Sequence, residues 1–148
     1  MSKAADDAFA TTLHIRDHCL CLHVQRAARK IARHFDDALR PLGLTSGQFS
    51  LLNALNRPEP ATMSSVASLL AMDRTTLTAA LKPLERRGLA QVDVDDEDRR
   101  SRRLMLTRAG RSLLAKAVPV WRRSHAEVER LLVDADPERL RASLRALS

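Results

Sequence analysis

Between Thr11 and Leu39 apolar residues recur at three- and four-residue steps, at Leu20, Val24, Ala27, Ile31 and Phe35. That period predicts a single helix of roughly 25–30 residues. Arg26, Arg29, Lys30 and Arg33 fall on its opposite face, and Pro41 and Gly43 end it. A stripe this long exceeds what one small domain can cover, so the pattern calls for a partner helix.

Three shorter helical segments follow. Thr45 is placed to cap one carrying Phe49, Leu51, Leu52 and Leu55, which stops before Pro58-Glu59-Pro60. Ser64 is the expected cap of a short one with Val66, Ala67, Leu69 and Leu70. Asp73 caps the third, Arg74 to Arg87, with Leu77, Ala80, Leu81 and Leu84 inward and Gly88 at the left-handed end position. Pro83 lies inside that helix and removes one backbone hydrogen bond. Leu89-Ala90-Gln91-Val92 and Leu104-Met105-Leu106 then flank a polar tract, the pattern of a β-hairpin. Thr107 caps a last long helix to about Val133, bent at Pro119, and Asp136-Pro137 opens a terminal one. The fold class expected is mainly α with a small β-hairpin wing: a winged helix-turn-helix flanked by helical dimerisation extensions. Its expected parts are residues 11–40 for dimerisation, 44–108 for the DNA-binding lobe and 109–148 for further dimerisation helices.

Charge sharpens this picture. Lys and Arg outnumber Asp and Glu by 25 to 18 in 148 residues. The balance suits a polyanion. With three Phe, one Trp and no Tyr, the chain is poor in stacking platforms, which favours duplex DNA over RNA or single strands. No apolar run approaches the about 18 residues of a membrane span. The stretch Met1 to Asp7 lacks the basic start and apolar body of a signal peptide. With only two cysteines, two positions apart, a secreted disulfide framework is not expected and the cytoplasm is.

The short turn Ala71-Met72-Asp73 between two helices, followed by a hairpin, is the winged helix-turn-helix arrangement. Arg74, Thr75, Thr76, Thr78, Ala79 and Lys82 stand at or beside the non-core positions of the second helix. Their hydroxyl, methyl and cationic groups suit base edges and phosphate. Standing alone, they read equally well as a capped surface helix. Asp95-Asp96-Glu97-Asp98 followed by Arg99, Arg100, Arg102 and Arg103 shifts that balance, since arginine at a hairpin tip enters narrow minor grooves. Asp98 is expected to hold an arginine, and Ser64 is counted with the DNA-contacting set.

Leu42 to Phe49, Met72 to Thr78, Leu84 to Leu89, Asp95 to Arg100 and Leu106 to Gly110 together resemble the MarR family of transcription regulators. The resemblance covers about Leu20 to Leu132. It implies a homodimer built from the first and last two helices, a pseudo-palindromic duplex-DNA operator, repression, and release by a small-molecule effector. It also implies that Asp98 pairs with Arg74 across to the recognition helix. Asp96 replaces a proline frequent in that wing.

Cys19 and Cys21 lie about 200° apart on a helix and cannot share a ligand. His14, His18 and Cys21 do share a face, a geometry that zinc could use, but surface imidazoles beside a half-buried thiol are the plainer reading and no metal or cofactor is assigned. Leu20-Cys21-Leu22 resembles the surroundings of the reactive cysteine in the organic-hydroperoxide-sensing branch, which makes redox sensing through Cys21 the alternative function. The tyrosine partners of that branch are missing. Without a glycine-rich phosphate loop or a nucleophile-base arrangement, an enzyme is not expected. His23, His34 and His125 are read as solvated.

Overall fold

The computed structural model describes residues 3–148. Met1 and Ser2, part of the stretch read for a leader, lie outside them. The chain divides into two units, residues 1–33 and 34–148.

In the first unit the helical pattern starts earlier than its apolar spacing suggests. Helix α1 is Lys3–His18 and helix α2, which crosses into the second unit, is Leu20–Leu39. The interruption at Cys19 is slight. Its amide still donates to the Ile15 carbonyl at 2.9 Å, and its own carbonyl accepts from His23 at 3.2 Å. The single helix expected from Thr11 is therefore two helical segments with a nearly continuous ladder. The polar, alanine-rich start of α1 lacks the apolar period that would have announced it.

The second unit holds the core. After a 3-10 turn at Arg40–Leu42, closed by Gly43 at φ 67°, come α3 (Ser46–Leu55), β1 (Ala61–Thr62), α4 (Met63–Leu70) and α5 (Arg74–Arg86). Strands β2 (Ala90–Val94) and β3 (Arg102–Leu106), then α6 (Arg108–Glu129) and α7 (Pro137–Arg145), complete it. The hairpin is part of a three-stranded antiparallel sheet in the order β1-β3-β2. Ala61 faces Leu104 and Val92 faces the same residue from the other side. Two residues of β1 carry too little alternation to be read from sequence.

Leu39, Leu52, Val66, Leu77, Leu81, Leu84 and Leu104 are the largest fully buried side chains. Each contributes on the order of 1.5–3 kcal/mol by leaving water. They come from α2, α3, α4, α5 and β3, so one core fixes α5 against the hairpin.

Caps set the boundaries. Thr45 forms a reciprocal capping box with Gln48. At α4 the cap is Thr62, reciprocating with Ser65, and not Ser64 as expected. Hydroxyls two residues apart, at Thr62 and Ser64, look alike in sequence. Helix α6 ends at Glu129, short of Val133. Gly110, in its first turn, is needed for close approach: a Cβ there would collide with the Leu89 carbonyl oxygen.

Candidate nucleic-acid interface

The turn between α4 and α5 is closed by an uncommon residue. The Ala71 amide donates to Ser68 at 3.2 Å and the Met72 amide to Ala67 at 2.9 Å, the paired closure of a helix by a left-handed residue. Ala71 occupies that position at φ 51°, the one non-glycine residue with positive φ among those described. Asp73 then starts α5. Its carboxylate accepts from the Thr76 amide and the Thr76 hydroxyl, each at 2.7 Å. Those two bonds hold the Asp73 carboxyl below its ordinary range.

The second helix presents the expected surface. Leu77, Leu81 and Leu84 are buried, whereas Arg74, Thr75, Thr76, Thr78, Ala79 and Lys82 are exposed. Their hydroxyls differ in availability. Thr76 is engaged by Asp73, and Thr78 donates to the Arg74 carbonyl at 2.8 Å, keeping its lone pairs free. Thr75 makes no side-chain hydrogen bond among the described residues. Ser64 is exposed near the start of α4.

The wing tip is ordered by its acids. Asp95 accepts from the amides of Glu97 at 2.8 Å and Asp98 at 3.0 Å, with Arg103 at 4.0 Å. The amide bonds first, then Arg103, lower its pKa. Asp98 accepts from the Arg100 amide and the Ser101 hydroxyl, both at 3.0 Å. Both carboxylate oxygens of Asp98 are therefore engaged inside the wing, and no Asp98–Arg74 ion pair forms among the described residues. The resemblance implied that pair; here Asp98 folds the turn that carries Arg100. Asp95 was missed as an organiser, although an Asp two and three residues before further turn residues is the signal of such a loop.

The arginines divide accordingly. Arg102 donates to the Arg99 and Ser101 carbonyls at 3.2 Å each, closing the loop. The guanidinium groups of Arg74, Arg99 and Arg100 make no ion pair or hydrogen bond among the described residues. Arg74 and Thr78 of α5 and Arg100 and Arg102 of the wing line one open concavity of about 350 Å³, floored by Met63, Leu81 and Val92 and edged by Glu85. Met63 and Glu85 were not read as part of this surface. Nothing in a local pattern ties them to a wing more than seven residues away.

The wing base is fastened to the long helix. Thr107 caps α6, its hydroxyl donates to the Gly88 carbonyl at 2.6 Å, and its amide donates to Leu89 at 3.1 Å. Away from this surface, two histidines read as solvated lie against acids, and the His34 Nε2 atom is buried without a hydrogen-bond partner among the described residues. His34 Nε2 lies 3.1 Å from Glu127, and His125 stacks on Trp121 at 4.7 Å while facing Glu129 at 3.8 Å. Cys21, expected half-buried, is exposed and its sulfur accepts from the Gln25 amide at 3.1 Å. His14 and His18 stack at 4.1 Å, and no three-residue group among the described residues is arranged to hold a metal.

A cationic helix and a charged hairpin on one buried frame define a winged-helix protein, and the relatives agree. The family model described as "MarR family" matches residues 42–101. The transcriptional activatory protein BadR of Rhodopseudomonas palustris is 32% identical over 73% of this chain. That match spans 63% of BadR, less than two thirds of its length. The organic hydroperoxide resistance transcriptional regulator of Bacillus subtilis is 32% identical over 68% of this chain and 69% of its own. The structure of the M. tuberculosis transcriptional regulator MosR in complex with DNA superposes with a TM-score of 0.80. It is 41% identical and covers 88% of this chain and 93% of that one. This chain belongs to the MarR family of DNA-binding transcriptional regulators.

Proposed function

We propose that the protein acts as a homodimeric repressor of a pseudo-palindromic duplex operator, released by a small ligand. The observation that carries the DNA reading is the shared concavity of Arg74, Thr78, Arg100 and Arg102, with Arg74, Arg99 and Arg100 uncommitted. Thr75, Thr78 and Ala79 read base edges in the major groove with Arg74, and Lys82 holds phosphate. Thr76 keeps the helix start in place. Arg100 enters the minor groove, Arg99 and Arg102 meet phosphate, and Asp98 shapes the turn beneath them. Ser64 supplies a further backbone contact. Two such lobes need half-sites about 10 bp apart.

Support for ligand release comes from a groove of about 490 Å³ where α3, α4 and α6 meet, bordered by Phe49, Asn53, Leu69, Trp121 and Arg122. An apolar ring would lie against Trp121 with its acid on Arg122. A gel shift against the protein's own promoter, with competitor duplex, tests the main reading. Specific retention that is lost in Arg74→Ala supports it; equal binding to promoter and competitor overturns it. Titrating aromatic acids while following Trp121 fluorescence and operator affinity together tests release.

A second reading rests on the exposure of Cys21 and its hydrogen bond from Gln25. Oxidation to a sulfenic acid would alter α2 and lower operator affinity. Operator affinity measured before and after stoichiometric organic hydroperoxide in wild type and Cys21→Ser decides it, since an equal response in both excludes the thiol.

A further inference from the structure

Helix α2 carries a second cationic surface, within residues 1–33. His23, Arg26, Arg29, Lys30 and Arg33 line one open cup of about 530 Å³, closed only by the methyl of Ala27. Arg26, Arg29, Lys30 and Arg33 stand at i, i+3, i+4 and i+7, so the four charges stack along about 10 Å of helix axis. Each is beside another of like sign at a spacing that weakens a helix. No acid occurs between His18 and Arg33 to relieve this. None of the four makes an ion pair among the described residues. Arg29 reaches only the Gln25 amide oxygen, at 3.1 Å. Asp17, just before the segment, is taken by Arg16 at 2.6 Å.

The row lies roughly 150° around the helix from the mean direction of Leu20, Val24, Ala27, Ile31 and Phe35. A dimer seam on the apolar stripe would leave most of it uncovered. His23 Nδ1 is 2.8 Å from the Cys19 carbonyl, which turns Nε2 outward as one more polar group at the rim.

From this geometry we infer that the cup binds a chain of linked phosphates, either inorganic or the diphosphate arm of a nucleotide. Three guanidinium groups offer forked donors that match phosphate oxygens two at a time, and Lys30 adds a point charge. The cup is of small-ligand size, and its one ring, His23, is tied by Nδ1 to the Cys19 carbonyl, so the lining is mainly cationic rather than a platform for a base. Recognition is therefore of the anion. Binding cancels the repulsion along α2 and stabilises that helix. All of the lining residues fall within residues 1–33, and the inference does not rest on α5 or the wing.

The test is calorimetric titration of the full chain, at constant ionic strength, with tripolyphosphate, pyrophosphate, adenosine diphosphate, orthophosphate and sulfate. Tripolyphosphate should bind at least about tenfold more tightly than orthophosphate or sulfate. Arg26→Gln combined with Lys30→Gln should weaken it at least about tenfold. The same variant should melt no lower than wild type without ligand, and it should lose the rise in melting temperature that tripolyphosphate gives wild type. Arg74→Ala with Arg100→Ala should leave tripolyphosphate binding unchanged. A diphosphate nucleotide that binds well above pyrophosphate identifies the nucleotide arm as the source; equal binding identifies the phosphate chain alone. Unaltered tripolyphosphate affinity in the α2 variant overturns the inference, as does its loss in the Arg74/Arg100 variant. If the α2 variant instead loses duplex affinity alone, the row is a DNA contact and the inference fails.

Discussion

Single residues decide how the exposed face of α5 is presented, and Ala71 is the clearest case. An L-residue in the left-handed region costs about 1–2 kcal/mol, which glycine avoids at an entropic cost of about 0.5–1 kcal/mol. Ala71→Gly is therefore expected to stabilise the fold by up to about 1 kcal/mol, measured as a rise in denaturation midpoint without a change in slope. A lower midpoint would mean that the alanine methyl makes contacts outweighing the strain. Arg74 and Lys82 share the same helix, and the proposed function gives them different tasks. Removing Arg74 should cost about 1–3 kcal/mol and relax sequence choice, because a forked contact to guanine is lost. Removing Lys82 should weaken all duplexes alike. Titrating both alanine variants against operator and random duplex checks this, and equal losses on the two duplexes for both variants would contradict the division.

At the scale of elements, the wing and the start of α5 are both held by carboxylates, and their consequences separate experimentally. Asp73 has its folded pKa lowered by the Thr76 amide and hydroxyl. Its contribution is thus present above the unfolded value near about 3.9 and is lost as pH falls through the folded one. Asp73→Asn keeps a capping acceptor without the titration, so its stability should fall less steeply than wild type below about pH 4. Parallel acid-denaturation profiles would exclude Asp73 as a contributor. In the wing, Arg100→Ala should lower the dependence of log affinity on log salt by roughly one unit for a lost phosphate-neutralising charge, and weaken A·T-rich flanks most. An unchanged slope and flank preference would leave the tip a solvated loop.

What could be read in advance was largely the capping chemistry. The caps at Thr45, Asp73 and Thr107 and the end at Gly88 were legible, because a cap needs a specific side chain at a specific place. The exposed face of α5 followed from its apolar period. Thr62 in place of Ser64, the two-residue strand β1 and the absence of an Asp98–Arg74 pair were not legible. Each depends on which of several equivalent acceptors the folded backbone brings near, and sequence spacing does not rank them.

For the whole molecule, the deciding question is what covers the apolar side chains left outside the core. In residues 1–33, Leu20 is 70% exposed and Val24 and Ile31 are also open to solvent. In residues 34–148, Leu131 is 78% and Leu147 67% exposed, with Leu140 and Leu144 beside them in sequence. Each unit thus leaves large apolar side chains in water that its own core does not cover, and such side chains are the usual material of interfaces. A two-fold operator also requires a two-fold protein, with the same surface used by each copy. Helix α7 is built to stay attached: Arg141 pairs with Glu138 and donates to Glu129 of α6 at 2.8 Å, and that hydrogen bond holds the Glu129 carboxyl below its ordinary range. Light scattering at micromolar concentration should therefore return twice the 16.5 kDa chain mass. Deleting the residues after Leu132 removes α7 and should give monomer or aggregate, with loss of operator binding as a consequence. A monomeric full-length chain that still retains the operator specifically would break the link between dimerisation and recognition. A dimer that survives the deletion would place the seam on the amino-terminal stripe alone.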